Sequence, residues 1–300
     1  MFSGGRSIVG KGALRAREMA GAVPPTGLVV LPIFSVQLGA AIAKGLFDSL
    51  GPGGTVFLRI AFAALAVLVL WRPGLRGYAG REYLLAALFG LTLAGMNLSI
   101  YMAFDRIPLG IAVTLEFIGP LTVSVAGSRR ILDLLWVVLA AAGILLLAPL
   151  GVLGDTNLDP VGVGFALVAG SLWACYILLS TRTGRAFPGM AGLAIALFVG
   201  TVALLPVGVV SAGAAMLDPG LLLAGLAVAL LSSVVPYSLE LEALRRLPAR
   251  VFGVLMSLEP AVAALVGFLV LGEQLGPRAL SAMALVTLAA AGASRFAGSR

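Results

Sequence analysis

Two carboxylates are the side chains of this sequence best placed to do chemistry: Glu116 in RIPLGIAVTLEFIGPL at 106–121 and Glu259 in VLMSLEPAVAALVG at 254–267. Each interrupts an apolar run. An acid at the centre of a lipid-spanning helix costs roughly 2.5–3.5 kcal/mol on insertion scales, so something must offset it. Three roles fit such an acid: it can grip a substrate ammonium, take up and release a proton, or lie hydrogen-bonded between helices and only fix their packing. A proline follows each one, Pro120 and Pro260, and frees backbone carbonyls that need partners from neighbouring helices or water. For Glu259 that leaves two readings, a broken helix at a binding site or a plain kink with the acid paired to a nearby arginine.

The remaining polar groups inside apolar runs are graded by how hard they are to satisfy. Asn97 is a strong candidate, since an amide has four hydrogen-bonding positions to fill. Gln37, Tyr101, Tyr176 and Tyr237 complete the set of substrate-binding or coupling candidates. Ser99, Ser180, Ser232 and Ser233 are weaker signals, because most such hydroxyls bond across helices or back to their own chain. Arg59, in TVFLRIAFAAL, either snorkels to the interface or pairs with Asp105 or Glu116; with Pro120 and Pro260 it is a structural candidate. Lys44, near the end of its run, is expected to snorkel.

Other chemistry is excluded by residue type. The chain has one cysteine, Cys175, and no histidine, so no disulfide framework and no thiol or imidazole metal site can be assembled. No phosphate-cradling glycine loop with its lysine, no carboxylate pair for magnesium and no nucleophile with a base is present. The sequence therefore calls for no catalytic residue, no metal and no cofactor, and ATP hydrolysis by this chain is excluded.

These residues must be positioned by elements that live in lipid. Hydrophobic residues make up 60% of the 300 and charged residues 11%, against about a quarter charged in a soluble domain. The apolar residues fall into ten runs, at about 27–46, 54–71, 83–103, 108–127, 132–150, 160–181, 189–211, 218–239, 249–271 and 276–296, each near the length that crosses a bilayer as a helix. Period-two alternation is absent, which disfavours a barrel. The expected fold is an all-α integral membrane protein of ten transmembrane helices. Abundant Gly and Ala supply close-packing surfaces.

The net charge of +7 sits in the links between runs, so it points to orientation in a membrane and not to nucleic acid. Arg72, Arg76 and Arg81, Arg129 and Arg130, Arg182 and Arg185, Arg245, Arg246 and Arg250, and Arg295 and Arg300 all fall on one side. The opposite loops carry Asp48, Asp155, Asp159 and Asp218, with Arg106 and Arg278 as their only basic residues. Lys and Arg mark the cytoplasmic face, so both termini are expected in the cytoplasm of a multi-pass protein, with residues 1–26 as a cytoplasmic tail. Trp71, Tyr83 and Trp136 are expected at the interfaces.

The chain also looks duplicated. AFDRIP at 103–108 returns as ALRRLP at 243–248, and Pro120 and Pro260 follow at equal distance, each just after a glutamate. The halves are 27–150 and 160–296, joined by a linker at 151–159. Five helices per half is odd, so the second half enters the membrane inverted. Inverted repeats are a transporter signature.

GIAVTLEFIGPL at 110–121 with SRR at 128–130, WACYIL at 173–178, PYSLELEALRRLPARVFGVLMSLEPAVAAL at 236–265 and GFLVLGEQL at 267–275 closely resemble the threonine/homoserine exporter branch of the drug/metabolite transporter superfamily. Its members carry paired EamA domains. The resemblance implies a ten-helix carrier of the bacterial inner membrane, with two inverted five-helix repeats around a central cavity, that exports small amino acids. Glu116 matches the acid of the family's L-E-F-x-G-P motif, and Glu259 with Pro260 matches its S-x-E-P motif.

The expected function is thus a secondary exporter of small amino acids working by alternating access, with the substrate near the midplane between the repeats and protons as the candidate coupling ion. The expected partners are that small molecule and the lipid bilayer. The alternative is an exporter of other small organic solutes or drugs. An enzyme or scaffold would show a catalytic cluster or a soluble domain, and a channel a ring of equivalent polar residues; the sequence shows none of these.

Overall fold

The structure is a computed structural model that describes residues 24, 26–126, 131–147, 158–236, 239, 240, 243 and 255–297. The tail up to residue 23, residues 151–157 of the linker, SRR at 128–130, Tyr237 and RRLPAR at 245–250 lie outside the described residues, as do the side chains of Trp71 and Arg295. Every regular element among the described residues is helical: α1 Gly27–Gly45, α2 Phe47–Trp71, α3 Gly80–Phe104, α4 Leu109–Glu116, α5 Ile118–Ala126, α6 Ile131–Leu147, α7 Pro160–Ala186, α8 Ala191–Ala212, α9 Pro219–Ala229, α10 Glu259–Leu271 and α11 Pro277–Ala297. A 3-10 turn at Gly213–Leu217 extends α8, and a π turn at Leu230–Val234 extends α9.

Helices α1, α2, α3, α7 and α8 are each long and apolar enough to cross a membrane, and α9, α10 and α11 are shorter apolar segments, as are α4 and α5 taken together over Leu109–Val123. Their outer faces expose large aliphatic and aromatic side chains, Leu65, Val69, Leu84, Val210, Phe198 and Leu269 among them, as a lipid-facing surface does.

Among the differences from the expected runs, two are explained by glycine and proline. The second helix begins at Phe47 and not near residue 54, because Gly51 takes φ 65°, ψ 165° beside Pro52 and the chain kinks without leaving the bundle. Only glycine adopts that conformation cheaply. The break exposes the Leu50 carbonyl, which accepts a hydrogen bond from Ser211 Oγ at 3.0 Å. The run expected at 108–127 is split at Phe117, since Pro120 has no N–H to return to the Glu116 carbonyl.

Helix starts follow the local chemistry. Asp159 caps α7, accepting from the Val161 amide at 2.8 Å, and Asp218 caps α9, accepting from the Leu221 amide at 3.0 Å. Asp159 also accepts from Arg106 Nη1 at 2.9 Å. The Arg106 guanidinium first, and then the Val161 amide, hold its carboxyl below the ordinary value of 3.8. Whatever this exposed pair contributes is present above that value and is lost as pH falls through the depressed one.

Packing partners come in exchanged sets. α3 packs on α7 and α8, while α9 with its π turn packs on α1 and α2; α4 and α5 pack on α7, while α10 packs on α1; and α2, α4 and α6 pack on α8, α10 and α11. Small residues permit the closest approaches. Gly90 lies on the Ala196 carbonyl, Gly119 lies on the Gly170 carbonyl, and a Cβ on Gly170 would stand 2.7 Å from the Glu116 carbonyl oxygen. Trp136 is half-buried with its ring over Gly292 of α11.

These approaches leave no space for a methyl group. Gly119→Ala should lower the stability of the purified protein by about 1–3 kcal/mol, whereas Gly164→Ala, where a Cβ meets nothing within 4 Å, should leave it unchanged or slightly raised. Thermal melting of both variants in one detergent checks the contrast, and equal melting points would show that the α5–α7 contact is loose.

Candidate functional site

The broken helices meet around one interior cavity of about 170 Å³. Gln37 reaches it from α1, Arg59 from α2, Asn97 from α3, Glu116 from the end of α4, Trp173 and Tyr176 from α7, Ser232 from the π turn and Glu259 from the start of α10, with Glu240 beside them. Its wall carries three carboxylates, Glu116, Glu240 and Glu259, and one guanidinium. Glu116 and Glu259, remote in sequence, are brought together because each ends or begins a helix next to its proline.

Arg59 is placed by a backbone irregularity. Pro236 has no N–H to offer the Ser232 carbonyl in α register, and the chain takes a π turn in which the Val235 N–H bonds back to the Leu230 carbonyl. Two carbonyls are thereby freed for side chains: Leu231 O accepts from Ser35 Oγ at 2.7 Å, and Ser232 O accepts from Arg59 Nη2 at 3.2 Å. Arg59 also donates from Nη1 to the Tyr101 hydroxyl at 3.3 Å and from Nε to Ser233 Oγ at 3.5 Å, with its guanidinium carbon 5.5 Å from the Tyr101 ring centre. It is directed inward and does not snorkel to the interface, because those freed acceptors lie inside. Asp105 stays exposed at the end of α3.

The other candidates divide. Gln37, Asn97, Tyr176, Glu116 and Glu259 all line the cavity. Asn97 Nδ2 donates to the Leu93 carbonyl of its own helix at 2.8 Å. Glu259 accepts from Gln37 Nε2 at 3.2 Å. Tyr101 is fully buried behind the wall between Phe47 and Phe104 and supports Arg59. Pro120 and Pro260 act through the backbone and do not line the cavity.

Sequence reasoning did not single out Glu240, Trp173 or Glu273. Glu240 and Glu273 each stand in a stretch quoted for the family resemblance, PYSLELEAL and GFLVLGEQL, and a charge flanked by apolar residues was the available signal. Lys44 was expected to snorkel; instead its ammonium pairs with Glu273 Oε1 at 2.7 Å, and Glu273 Oε2 accepts from the Leu109 amide at 2.8 Å. That network ties α1, the start of α4 and the α10–α11 link at one end of the bundle, where Arg106 and Asp159 also pair.

The other end is hollow among the described residues. A second cavity of about 410 Å³ runs between Phe89, Ser180, Thr183, Phe187 and Met190, and its lining shares Tyr176 and Glu240 with the first. The ion-paired tie stands at the end opposite this second cavity.

Comparison with known proteins gives these features a context. The EamA-like transporter family matches residues 160–295. Proteins named "Threonine/homoserine exporter RhtA" from Salmonella typhimurium (strain LT2) and Escherichia coli (strain K12) are each 42% identical over 270 residues, 90% of this chain and 91% of theirs. A protein of known crystal structure superposes with TM-score 0.60 at 16% identity, over 89% of this chain and 96% of its own, which speaks to the fold alone.

The tie is testable by a double-mutant cycle. Lys44→Met and Glu273→Gln should each cost about 1–3 kcal/mol, because each strands a partly buried charge or its acceptors. The double variant should cost less than the sum of the two. Strictly additive losses in thermal or denaturant stability would show that the two groups do not interact.

Proposed function

We propose that this chain, which belongs to the EamA-like transporter family, is a secondary exporter of small zwitterionic amino acids of the threonine and homoserine kind. It is a multi-pass bacterial membrane protein. The single observation that carries the export reading is the interior cavity, in which a guanidinium and several carboxylates share one small space reached by helices from both halves of the chain. The 42% identity to proteins named as threonine/homoserine exporters favours a small amino acid over the alternative of a drug or larger solute.

Ten membrane crossings in two inverted repeats, 27–150 and 160–296, are the arrangement we favour. Support comes from the exchanged packing sets: α3 on α7 answers to α9 on α1, α3 on α8 to α9 on α2, and α4 on α10 and α6 on α11 are their own counterparts, as a two-fold relation between five-helix halves requires. In this reading α4 and α5 together make one crossing. The hollow end lies on the side of Arg72, Arg76, Arg81, Arg182 and Arg185, which favours a cytoplasmic opening and cytoplasmic termini in the inner membrane. An exporter loads from that side. The carrier then alternates by closing the hollow end around Phe89, Phe187 and Met190 and releasing the Lys44–Glu273 tie at the other.

In this mechanism the chain is no enzyme and holds no cofactor or metal. Gln37, Asn97, Tyr176 and Glu259 are the substrate-facing groups, and Tyr237 keeps its place as a candidate outside the described residues. Glu116 exchanges a proton against the substrate. Coupling of that kind requires proton and substrate to exclude one another or to favour different conformations, since a ligand that binds both states equally shifts nothing.

Cells carrying the gene should tolerate excess threonine or homoserine better than cells lacking it, and proteoliposomes loaded with labelled threonine should empty. Glu116→Gln at equal expression should reduce that efflux by at least about tenfold, the scale of losing a charge-assisted contact. Unchanged efflux would remove Glu116 from the cycle.

A further inference from the structure

We infer that Gln37 and Glu259 form the seat of the substrate's ammonium group, with Arg59 on the wall of the same cavity for its carboxylate. This assignment rests on the export reading and deepens it by fixing which wall of the cavity holds which end of the amino acid.

Two buried oxygens of one hydrogen-bonded pair have no further partner among the described residues: Gln37 Oε1 and Glu259 Oε2. Their residues are only 1% and 8% exposed, and both line the cavity. Buried polar atoms are almost always partnered, so two orphans on residues already bonded to each other point to a ligand. The chemistry of that ligand follows from the inventory. Gln37 donates its amide N–H to Glu259 Oε1, which fixes its carbonyl oxygen as the free end. Glu259 Oε2 is an acceptor when ionised. An anion would meet acceptors only. A primary ammonium brings a positive charge and an N–H donor for each oxygen.

Arg59, held by the Ser232 carbonyl at 3.2 Å, lines the same cavity. The cavity thus offers acceptors for an ammonium and a guanidinium for a carboxylate, the two charged groups of an α-amino acid.

The test uses full-length protein in lipid nanodiscs and binding of labelled threonine, competed by N-acetylthreonine, which lacks the ammonium, and by threoninamide, which lacks the carboxylate. Wild-type protein should prefer threonine strongly over both. Glu259→Gln should weaken threonine by at least about tenfold and leave the weak N-acetylthreonine binding unchanged, so the preference collapses. Gln37→Met, a milder change that removes the neutral acceptor, should do the same to a smaller degree, and Arg59→Gln should weaken threonine but not threoninamide. Variants that retain the wild-type preference for threonine over N-acetylthreonine, or a seat that fills with sodium and demands it for binding, would overturn the assignment while leaving the export reading intact. Wild-type protein that neither binds nor exports threonine or homoserine would overturn both.

Discussion

A carbonyl freed from its helix inside an apolar bundle must find a donor, and the interior of this protein is arranged around that requirement. Pro120, Pro236 and Pro260 each lack the N–H that an α-helix would return four residues back. At Pro236 the relief is a π turn, and the freed Ser232 and Leu231 carbonyls are met by Arg59 and Ser35. Arg59 is therefore held inside by backbone as much as by side chains. Its charge then makes it reasonable for carboxylates to face the same space. At Pro120 and Pro260 the relief is a helix that stops or starts, and in both cases the residue at the break is a glutamate. Polar chemistry in the centre is a consequence of backbone that could not stay helical.

Glycine supplies the complementary constraint. The break at Glu116 is useful only if its position is fixed, and Gly170 fixes it by bringing α7 to van der Waals contact with the Glu116 carbonyl, while Gly119 brings α5 against the Gly170 carbonyl. Packing at this distance depends on dispersion and on the absence of side chains, since lipid gives no hydrophobic drive for helices to associate. The same helix carries Trp173, whose ring meets Phe117 edge-on at 5.5 Å. The cavity wall on that side is rigid because backbone, not flexible side chain, sets its distance.

Much of this was legible in the sequence, for reasons that separate cleanly. Apolar runs long enough for lipid gave the helices, since burial of the backbone leaves few alternatives to α-helix. Glu116, Glu259, Gln37 and Asn97 stood out because a group that is costly to bury is conspicuous, and the structure brings all four to one cavity. What failed was direction. Whether Lys44 or Arg59 turns outward to the interface or inward to a partner depends on acceptors contributed by Glu273 and by the Ser232 carbonyl, both more than 170 residues away. Periodicity carries no such information. The π turn at Leu230–Val234 is hidden for a related reason: Pro236 removes one helical hydrogen bond, but which carbonyls are freed, and for which donors, shows only in the fold. Phe117 as a break point, and Gly51 as a kink within a helix, likewise depend on how a neighbouring helix fills the gap.

The two ends of the bundle differ in a way that bears on how the proposed carrier could cycle. One end carries the ion pairs Lys44 with Glu273 and Arg106 with Asp159, and the hollow end is bordered by aromatic rings, a methionine, hydroxyls and Glu240. Apolar surfaces close with gain when water is expelled, so the hollow end has an intrinsic tendency to shut once filled. An ion pair opens at small net cost when water enters, because each separated charge regains the hydration it lost on burial. Closure driven by apolar contact on one side can therefore be offset by hydration of separated charges on the other. A carrier needs two states that differ by only a few kcal/mol, and opposing an apolar gate to an ionic one is a direct way to keep them close in energy.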